Sequence, residues 1–289
     1  MRSEIKYILI TALLTSLSFL MRLDFWPWYQ KFGFYQGDIW YFFTYYGDQI
    51  QNSFFFSFDY PIGYIFILKA AALLSSLLGH FNYQNFLFAN ALLIIPATAI
   101  CTWLLYQIAR LVKLDSSKLI FYFVLSPSLF IYSTINYDIF PIFFTLLSIY
   151  LLLNKRNNLS AVFLGFASVI KLYPALFLPV LVFYLLNQKT SLHKIGSFLV
   201  TFFMVLVIFN LPFALIDWHA WTYPYLHQLT NPERNDPTTL SYYLTTVGLG
   251  QFRTLFWISL VSISWVIIFI FYKAKKISSV NFIYLLLFT

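Results

Sequence analysis

The chain has 289 residues, of which 61% are hydrophobic and only 10% are charged, and its net charge is +8. Soluble domains contain about a quarter charged residues, so this composition excludes an ordinary water-soluble enzyme and a nucleic-acid-binding protein. The single cysteine excludes an internal disulfide. We predict an all-α polytopic membrane protein, because helices satisfy their own backbone hydrogen bonds in lipid.

Apolar runs suited to crossing a bilayer follow one another along the chain. They cover residues 7–22, 86–109, 119–135, 139–153, 158–171, 174–187, 195–215 and 252–272. The first run lacks a small-residue cleavage site, so we interpret it as an uncleaved anchor. Another apolar segment opens at residue 280 and holds about half the residues of a span. We therefore expect a single multi-span domain over residues 1–289 that is truncated at its C-terminus.

Basic and acidic residues separate onto two sides of these runs. The short connectors are basic, and the positive-inside rule places them in the cytoplasm together with the N-terminus. They contain Arg110, Lys113 and Lys118; Lys155 and Arg156; Lys189 and Lys194; and Lys273, Lys275 and Lys276. Most acidic residues then fall in two long outer loops, about 23–85 and 216–250. This separation predicts a multi-pass protein with its functional site on the extracytoplasmic or luminal side.

Residues 60–79 are apolar but do not fit this alternation of sides. A crossing here would place Arg110 outside, and Lys69 would lie in mid-membrane, where an ammonium group is costly. We therefore interpret the segment as a helix in the outer interface, with the ammonium of Lys69 reaching the headgroups. An ordinary crossing that breaks the charge rule is the alternative.

The first outer loop holds carboxylates among aromatic rings. Asp38 lies in Gly37-Asp38-Ile39-Trp40-Tyr41, and Asp48 and Asp59 follow. An acid next to the membrane can act as general base for a hydroxyl acceptor, and the rings suit the C–H face of a sugar. The alternative is that Asp38 and Asp48 face water or cap short helices.

Further motifs follow in a characteristic order. They are Tyr60-Pro61, Leu125-Ser126-Pro127, Asn136-Tyr137-Asp138-Ile139-Phe140-Pro141, Gly165-Phe166-Ala167 and Lys171-Leu172-Tyr173-Pro174. Over about residues 30–190 this order resembles glycosyltransferase family 87, the polyprenyl-phosphate-dependent mannosyltransferases of the GT-C fold. It bears a weaker resemblance to the mannosyltransferases of glycolipid anchors. Ile62 stands where the family often has a second proline, and the first loop has no Asp-X-Asp pair.

The resemblance implies a GT-C-type helical bundle with interfacial helices in a large first outer loop. It implies an inverting transfer of a hexose from a polyprenyl- or dolichyl-phosphate carrier to a lipid or glycan acceptor on the outer face. Mannose is the leading candidate for the hexose. The first-loop acid of the family deprotonates the acceptor, and the matching residue here is Asp38, with Asp48 in reserve. Tyr41 and Asp59 of the same segment are secondary candidates. So is Asp138, although a favourable helix dipole also explains an acid there.

Two cations are candidates for the donor phosphate. Lys171 lies at an outer turn between two short apolar runs, and Arg234 lies in a polar loop, where its guanidinium can bind phosphate through two hydrogen bonds. The alternatives are a headgroup anchor for Lys171 and a solvated turn with local ion pairs for Arg234. His219 and His227 are candidates to orient the phosphate or the acceptor.

No group of His, Cys or Asp residues has the spacing of a metal site, so no cofactor is predicted. A divalent metal remains an alternative that has no ligand motif. A transporter or lipid flippase is a rival function, but such proteins place ionisable residues in mid-membrane and contain paired repeats. Here the ionisable residues lie almost wholly at the ends of spans. A non-catalytic subunit with the same fold is the second rival.

Overall fold

The computed structural model describes residues 3–20, 37–113, 123–124 and 136–230, with single positions at 246, 248, 259, 262 and 266. The chain divides into two compact units, Met1–Trp221 and Thr222–Thr289. The described residues form helices and no strand, which confirms the all-helical class for them. That both units belong to one membrane domain stays a prediction.

Five of the predicted apolar runs are helices in the structure, a sixth is divided into two elements, and the predicted outer loops contain further helices. The first four are α1 (Ser3–Leu20), α2 (Gly37–Asn52), α3 (Ile62–Leu77) and α4 (Tyr83–Leu111). They are followed by α5 (Ile139–Leu153), α6 (Asn157–Ile170), a 3-10 turn (Tyr173–Phe177), α7 (Leu178–Asn187), α8 (Leu192–Ile216) and α9 (Trp218–Thr230). The predicted runs at 119–135, at 252–272 and from 280 onward lie almost wholly outside the described residues.

Two of the described helices are long and apolar enough to cross a membrane. These are α4, with 29 residues, and α8, with 25. Only 17% of the most apolar stretch of α8 is buried within the protein, and side chains such as Val200, Phe203 and Ile208 are exposed. A contiguous apolar surface of this kind is unfavourable in water, so it supports a membrane protein. The number of crossings stays a prediction.

The predicted run at 174–187 is interrupted in the structure. It begins as the 3-10 turn and continues as α7, which has only ten residues. Pro174 and Pro179 occupy the first positions of these two elements, where the missing N–H group is tolerated. The predicted run at 174–187 is therefore helical but divided into two elements, and the cause is proline placement.

The long helices pack side by side. α1 runs antiparallel to α4, because the hydroxyls of Thr11 and Thr102 lie 2.9 Å apart and the Phe19 and Phe88 rings lie 5.6 Å apart. Polar groups that pair across two helices in this way avoid the cost of burying an unsatisfied hydroxyl. The first helix is thus held against α4, the longest of the described helices.

The next helices continue this layer. α5 packs alongside α4 in the same direction, with the Trp103 and Tyr150 rings 5.7 Å apart. A turn at 154–156 reverses the chain into α6, which runs alongside α8. A Cβ atom on Gly165 would lie 2.8 Å from the Val205 side chain, so only glycine permits this approach of α6 to α8. The start of α5 and the ends of α6 and α8 therefore lie together.

The first unit has two chemically different ends. We call the end that contains the starts of α3, α4 and α5 and the ends of α6 and α8 the acidic end. Its described charged residues are Asp38, Asp48, Asp59, Lys69, Asp138, Lys171 and Asp217. Those of the opposite, basic end are Glu4, Lys6, Arg110, Lys113, Lys155, Arg156, Lys189 and Lys194. The charge separation seen in the sequence is present in the fold, while its orientation in a membrane stays a prediction.

The position of α3 bears on the ambiguous segment 60–79. A Cβ atom on Gly63 would lie 2.6 Å from the backbone of Ile170, so α3 begins against the end of α6. The connection at 78–82 then leads directly into the start of α4. Since both neighbours are at the acidic end, α3 does not run from one end of the unit to the other. This arrangement supports an interfacial helix over a crossing.

Candidate functional site

Asp38 lies in the first turn of α2, where the helix dipole favours a negative charge. The face of α2 that carries Ile39, Phe42 and Ile50 is buried, which fixes the rotation of the helix. Asp38 is partly buried, and the hydroxyl of Tyr60 donates a hydrogen bond to its Oδ2 over 3.4 Å. The predicted base is therefore tied to the segment that leads into α3.

Two tyrosines join Asp38 to a second carboxylate. The rings of Tyr60 and Tyr64 stack with their centroids 4.5 Å apart, and the hydroxyl of Tyr64 donates to Asp138 Oδ1 over 3.2 Å. The two tyrosines are four residues apart, and Pro61 between them precedes the first turn of α3. Asp38 and Asp138 thus bond to neighbouring, stacked rings.

Asp138 forms an ion pair with Lys171 Nζ. Its other oxygen, Oδ2, accepts from Asn136 Nδ2 over 3.2 Å. Lys171 is the first residue after α6 and has an extended backbone, while Asp138 directly precedes α5. The antiparallel hairpin of α5 and α6 therefore brings the two together. Both side chains keep 32% of their surface exposed, so the pair is accessible to a ligand.

Aromatic rings surround these charges. The buried ring of Tyr137 stacks on Phe42 at 5.7 Å and contacts Tyr64 at 5.8 Å. Burial raises the pKa of the Tyr137 hydroxyl, and the negative charge of Asp38 raises it further. Lys171 Nζ lies 6.0 Å from the centre of the Tyr173 ring, within the range of a cation–π interaction. The site combines carboxylates, an ammonium group and flat apolar surfaces.

Asp59 and Tyr41, two secondary candidates from the sequence, contact each other. Asp59 Oδ2 accepts from the hydroxyls of Tyr41 over 2.8 Å and Tyr46 over 3.1 Å. Burial and the charge of Asp59 raise the pKa of Tyr46, which therefore remains a hydrogen-bond donor near neutral pH. These contacts fasten α2 to the loop before α3.

Asp48, the reserve base, lies apart from this network. Its side chain is exposed and accepts from Asn52 Nδ2 over 2.7 Å, four residues along the same helix. The structure thus brings Asp38, Asp138 and Lys171 into one region and leaves Asp48 on the surface of α2. A polar pair of this kind fits the alternative that the sequence left open for Asp48.

The remaining candidates are His219, His227 and Arg234. His219 is exposed near the start of α9, where Asp217 Oδ1 accepts from the backbone N–H of Ala220 over 2.9 Å. Arg234 lies outside the described residues, and so does the side chain of His227. A cavity shared by Asp38, Lys171 and Arg234 therefore stays a prediction. Within the described part of the chain, no three His, Cys, Asp or Glu side chains converge as metal ligands would.

The sequence had not singled out Tyr60, Tyr64 or Asn136 as site residues. Tyr60 and Asn136 stand within two residues of an acid or a proline in the motifs quoted above. This adjacency is the sequence feature from which Tyr60 and Asn136 could have been predicted as site residues. Tyr64 has no such neighbour, and its contact with Asp138 depends on α3 packing against the α5–α6 hairpin.

The model of glycosyltransferase family 87 matches residues 58–286, about four fifths of the chain. This range contains Tyr60, Tyr64, Asp138 and Lys171, whereas Asp38 lies before it. No curated protein and no solved structure matched the chain.

Proposed function

The chain belongs to glycosyltransferase family 87. We propose that it transfers a hexose from a polyprenyl- or dolichyl-phosphate carrier to a hydroxyl of a lipid or glycan acceptor, with mannose as the leading candidate for the hexose. The observation that carries this proposal is the network that links Asp38, Tyr60, Tyr64, Asp138 and Lys171 at the acidic end. It places a carboxylate and an ammonium group on one aromatic surface. Glycosyl transfer from a phosphate ester uses both groups.

Asp38 is the proposed general base. Its carboxylate accepts the proton of the acceptor hydroxyl while that oxygen forms a bond to the anomeric carbon of the sugar. The bond from the anomeric carbon to the phosphate oxygen breaks, and its electron pair leaves with the phosphate. A single displacement of this kind inverts the anomeric centre. The products are the glycosylated acceptor and the polyprenyl phosphate.

Lys171 is the proposed partner of the leaving phosphate. An ammonium group has three donors, so the ion pair with Asp138 leaves donors for phosphate oxygens. Negative charge grows on the phosphate as its bond to the sugar breaks, and a cation held in place stabilises that charge. Asp138, itself held by Tyr64 and Asn136, would keep the ammonium in position.

The aromatic surface and the apolar helices suit the two halves of such a donor. Rings such as Tyr60 and Tyr173 can pack against the C–H face of the sugar. The exposed apolar side chains of α8 can face the same lipid phase that holds the isoprenoid chain. We therefore propose that the acidic end faces the extracytoplasmic or luminal side, with the N-terminus in the cytoplasm.

The test is release of polyprenyl phosphate by the purified protein in lipid vesicles, from a panel of polyprenyl-phosphate hexoses with lipid and glycan acceptors. We expect Asp38→Asn to lower turnover by about 100-fold or more, the usual contribution of a positioned base. Glu4→Gln makes the same chemical change at the basic end, where Glu4 lies 3.8 Å from Arg110, and should keep wild-type turnover.

Two results would change the assignment. Unchanged turnover in Asp38→Asn would remove Asp38 as the base, and a loss in Asp48→Asn instead would transfer that role to the reserve candidate. Solute uptake or lipid translocation without glycosyl transfer by the wild-type protein would favour a transporter and overturn the proposed function.

A further inference from the structure

Lys69 has a structural partner that explains its place in an apolar helix. Its Nζ donates hydrogen bonds to the backbone carbonyl oxygens of Gln49 and Ile50, in the last turns of α2. The sequence predicts an ammonium group that reaches for lipid headgroups, but this one contacts a neighbouring helix. Partial burial lowers the pKa of Lys69, and the contact compensates for that burial by supplying polar partners.

The end of a helix is a suitable partner for a cation. The last carbonyl groups of a helix have no partner within it and carry partial negative charge. The last turn of α2 contains no basic residue of its own. Ser53 N–H donates to Gln49 over 2.9 Å, and Lys69 adds a charged donor at the same point. Lys69 therefore acts from α3 as a cap for α2.

With this contact, the segment 59–69 holds α2 at three places. Tyr60 contacts Asp38 at its start, Asp59 accepts from tyrosines in its first half and middle, and Lys69 binds its end. A helix is stiff, and Ile50 and Asp38 are about 18 Å apart along the axis at 1.5 Å per residue. A tilt of about 3° at one end therefore moves the other end by about 1 Å.

We propose that Lys69 is a positioning residue: by capping the end of α2 it sets the place of Asp38 at the start of that helix. We call the contact of Lys69 with the end of α2 the clamp. The inference rests on the proposed function only for its effect on turnover, since the clamp itself is a property of α2 and α3. A displacement of about 1 Å in a reacting group can cost about 100-fold in rate. An uncapped α2 would thus slow transfer without any loss of donor contacts.

Kinetics of three variants test the effect on the reaction. Lys69→Met keeps the length and apolar stem but removes the donors, Lys69→Arg keeps charge and donors, and Lys194→Met makes the same change as the first at the exposed basic end. We expect Lys69→Met to lower kcat by about 10- to 100-fold with an unchanged KM for the donor. Lys69→Arg should recover most of kcat, and Lys194→Met should match the wild type.

Spin labels test the clamp without any transfer reaction. Thr44 in α2 and Leu73 in α3 are exposed, so Thr44→Cys and Leu73→Cys accept labels, while the native Cys101 is fully buried and should stay unlabelled. We expect one narrow distance distribution in the wild-type and Lys69→Arg backgrounds. In Lys69→Met the distribution should shift or broaden.

Each outcome decides between the two claims. A Lys69→Met distribution identical to that of the wild type would overturn the clamp, and so would a loss in Lys69→Met that appears in the donor KM alone. A shifted distribution in Lys69→Met, together with a wild-type protein that transfers no sugar, would support the clamp and contradict the proposed function. If Lys69→Met does not fold, Lys69→Gln, which retains a neutral donor, should show a smaller shift in the same direction, and no shift there would overturn the clamp.

Discussion

The ion pair between Asp138 and Lys171 makes the two side chains depend on each other. Asp138 Oδ1 accepts from Lys171 and from Tyr64, so one carboxylate oxygen joins the end of α6 to the start of α3. Removing Asp138 leaves an unrestrained ammonium, which still attracts phosphate. Removing Lys171 leaves a carboxylate that repels phosphate. The two changes should therefore differ in their effect on the donor.

This asymmetry predicts a non-additive double variant. We expect Lys171→Met to lower kcat/KM for the donor by about 100-fold, the value of a charge-assisted hydrogen bond, and Asp138→Asn to lower it by about tenfold. The double variant should be no worse than Lys171→Met, because the repulsive carboxylate is also gone. Steady-state kinetics with varied donor concentration measure all three values. A double variant that loses the product of the two factors would show that the residues act independently.

Among single residues, the sequence singled out the charged side chains of the candidate site but not the tyrosines that join them. Asp38, Asp138 and Lys171 were recognisable because ionisable residues are rare in this chain and stand at the ends of apolar runs. Tyrosine is abundant, with 22 copies, so residue type alone does not distinguish Tyr64. Its contact with Asp138 spans 74 positions in sequence and depends on how the helices pack.

At the scale of elements, the contact of α3 with α6 sets the distance between the tyrosines near the start of α3 and Lys171 after the end of α6. Tyr60 lies two residues before α3, Tyr64 lies in its first turn, and Lys171 directly follows the end of α6. Gly63 lies at the crossing, where its missing side chain allows the backbone of Ile170 to approach. The register of this crossing therefore controls where Tyr64 meets Asp138.

Gly63→Ala should disturb both stability and turnover. The added methyl group would lie 2.6 Å from Ile170 backbone atoms, so one helix must move, at a cost of about 1–3 kcal/mol. The matched control is Gly196→Ala in α8, where no atom lies within 4 Å of the new methyl group. That change should raise stability by up to about 1 kcal/mol, because alanine is the better helix former. Thermal unfolding and transfer rates of both variants provide the comparison. Equal stability of the two variants would show that the contact between α3 and α6 accommodates the added methyl group at little cost in free energy.

The positions of helices were predictable where an apolar run had polar residues on both sides. The run predicted at 139–153 is α5, Ile139–Leu153, because Asp138 and Asn154 bound it. The division of the run at 174–187 into a 3-10 turn and α7 was harder to foresee, since Pro174 and Pro179 lie in a run that is apolar throughout. Hydropathy indicates which segments are helical, but the neighbours of each helix depend on the fit of side chains, as at Gly165.

At the scale of the whole first unit, the two ends carry opposite charge. The sequence predicted this separation from the alternation of connectors, and antiparallel packing of α1 with α4 and of α5 with α6 produces it. Two of the basic connectors show how short they are: Lys155 and Lys189 end α5 and α7 in left-handed conformation, with φ of 61° and 54°. Such a residue directly after a helix reverses the chain within a few positions. Short basic turns of this kind would stay at one membrane surface.

Cysteine labelling in intact cells measures the orientation of the two ends. Thr44→Cys reports on the acidic end and Lys194→Cys on the basic end, both at exposed positions, against the buried Cys101. Because the positive-inside rule places basic connectors in the cytoplasm, we expect a membrane-impermeant maleimide to label Thr44→Cys and to spare Lys194→Cys. Inside-out vesicles should reverse the pattern. Labelling of Lys194→Cys in intact cells, with Thr44→Cys protected until the membrane is opened, would place Asp38 in the cytoplasm. The predicted extracytoplasmic orientation of the transferase would then be wrong, even if the proposed roles of Asp38 and Lys171 in the reaction were correct.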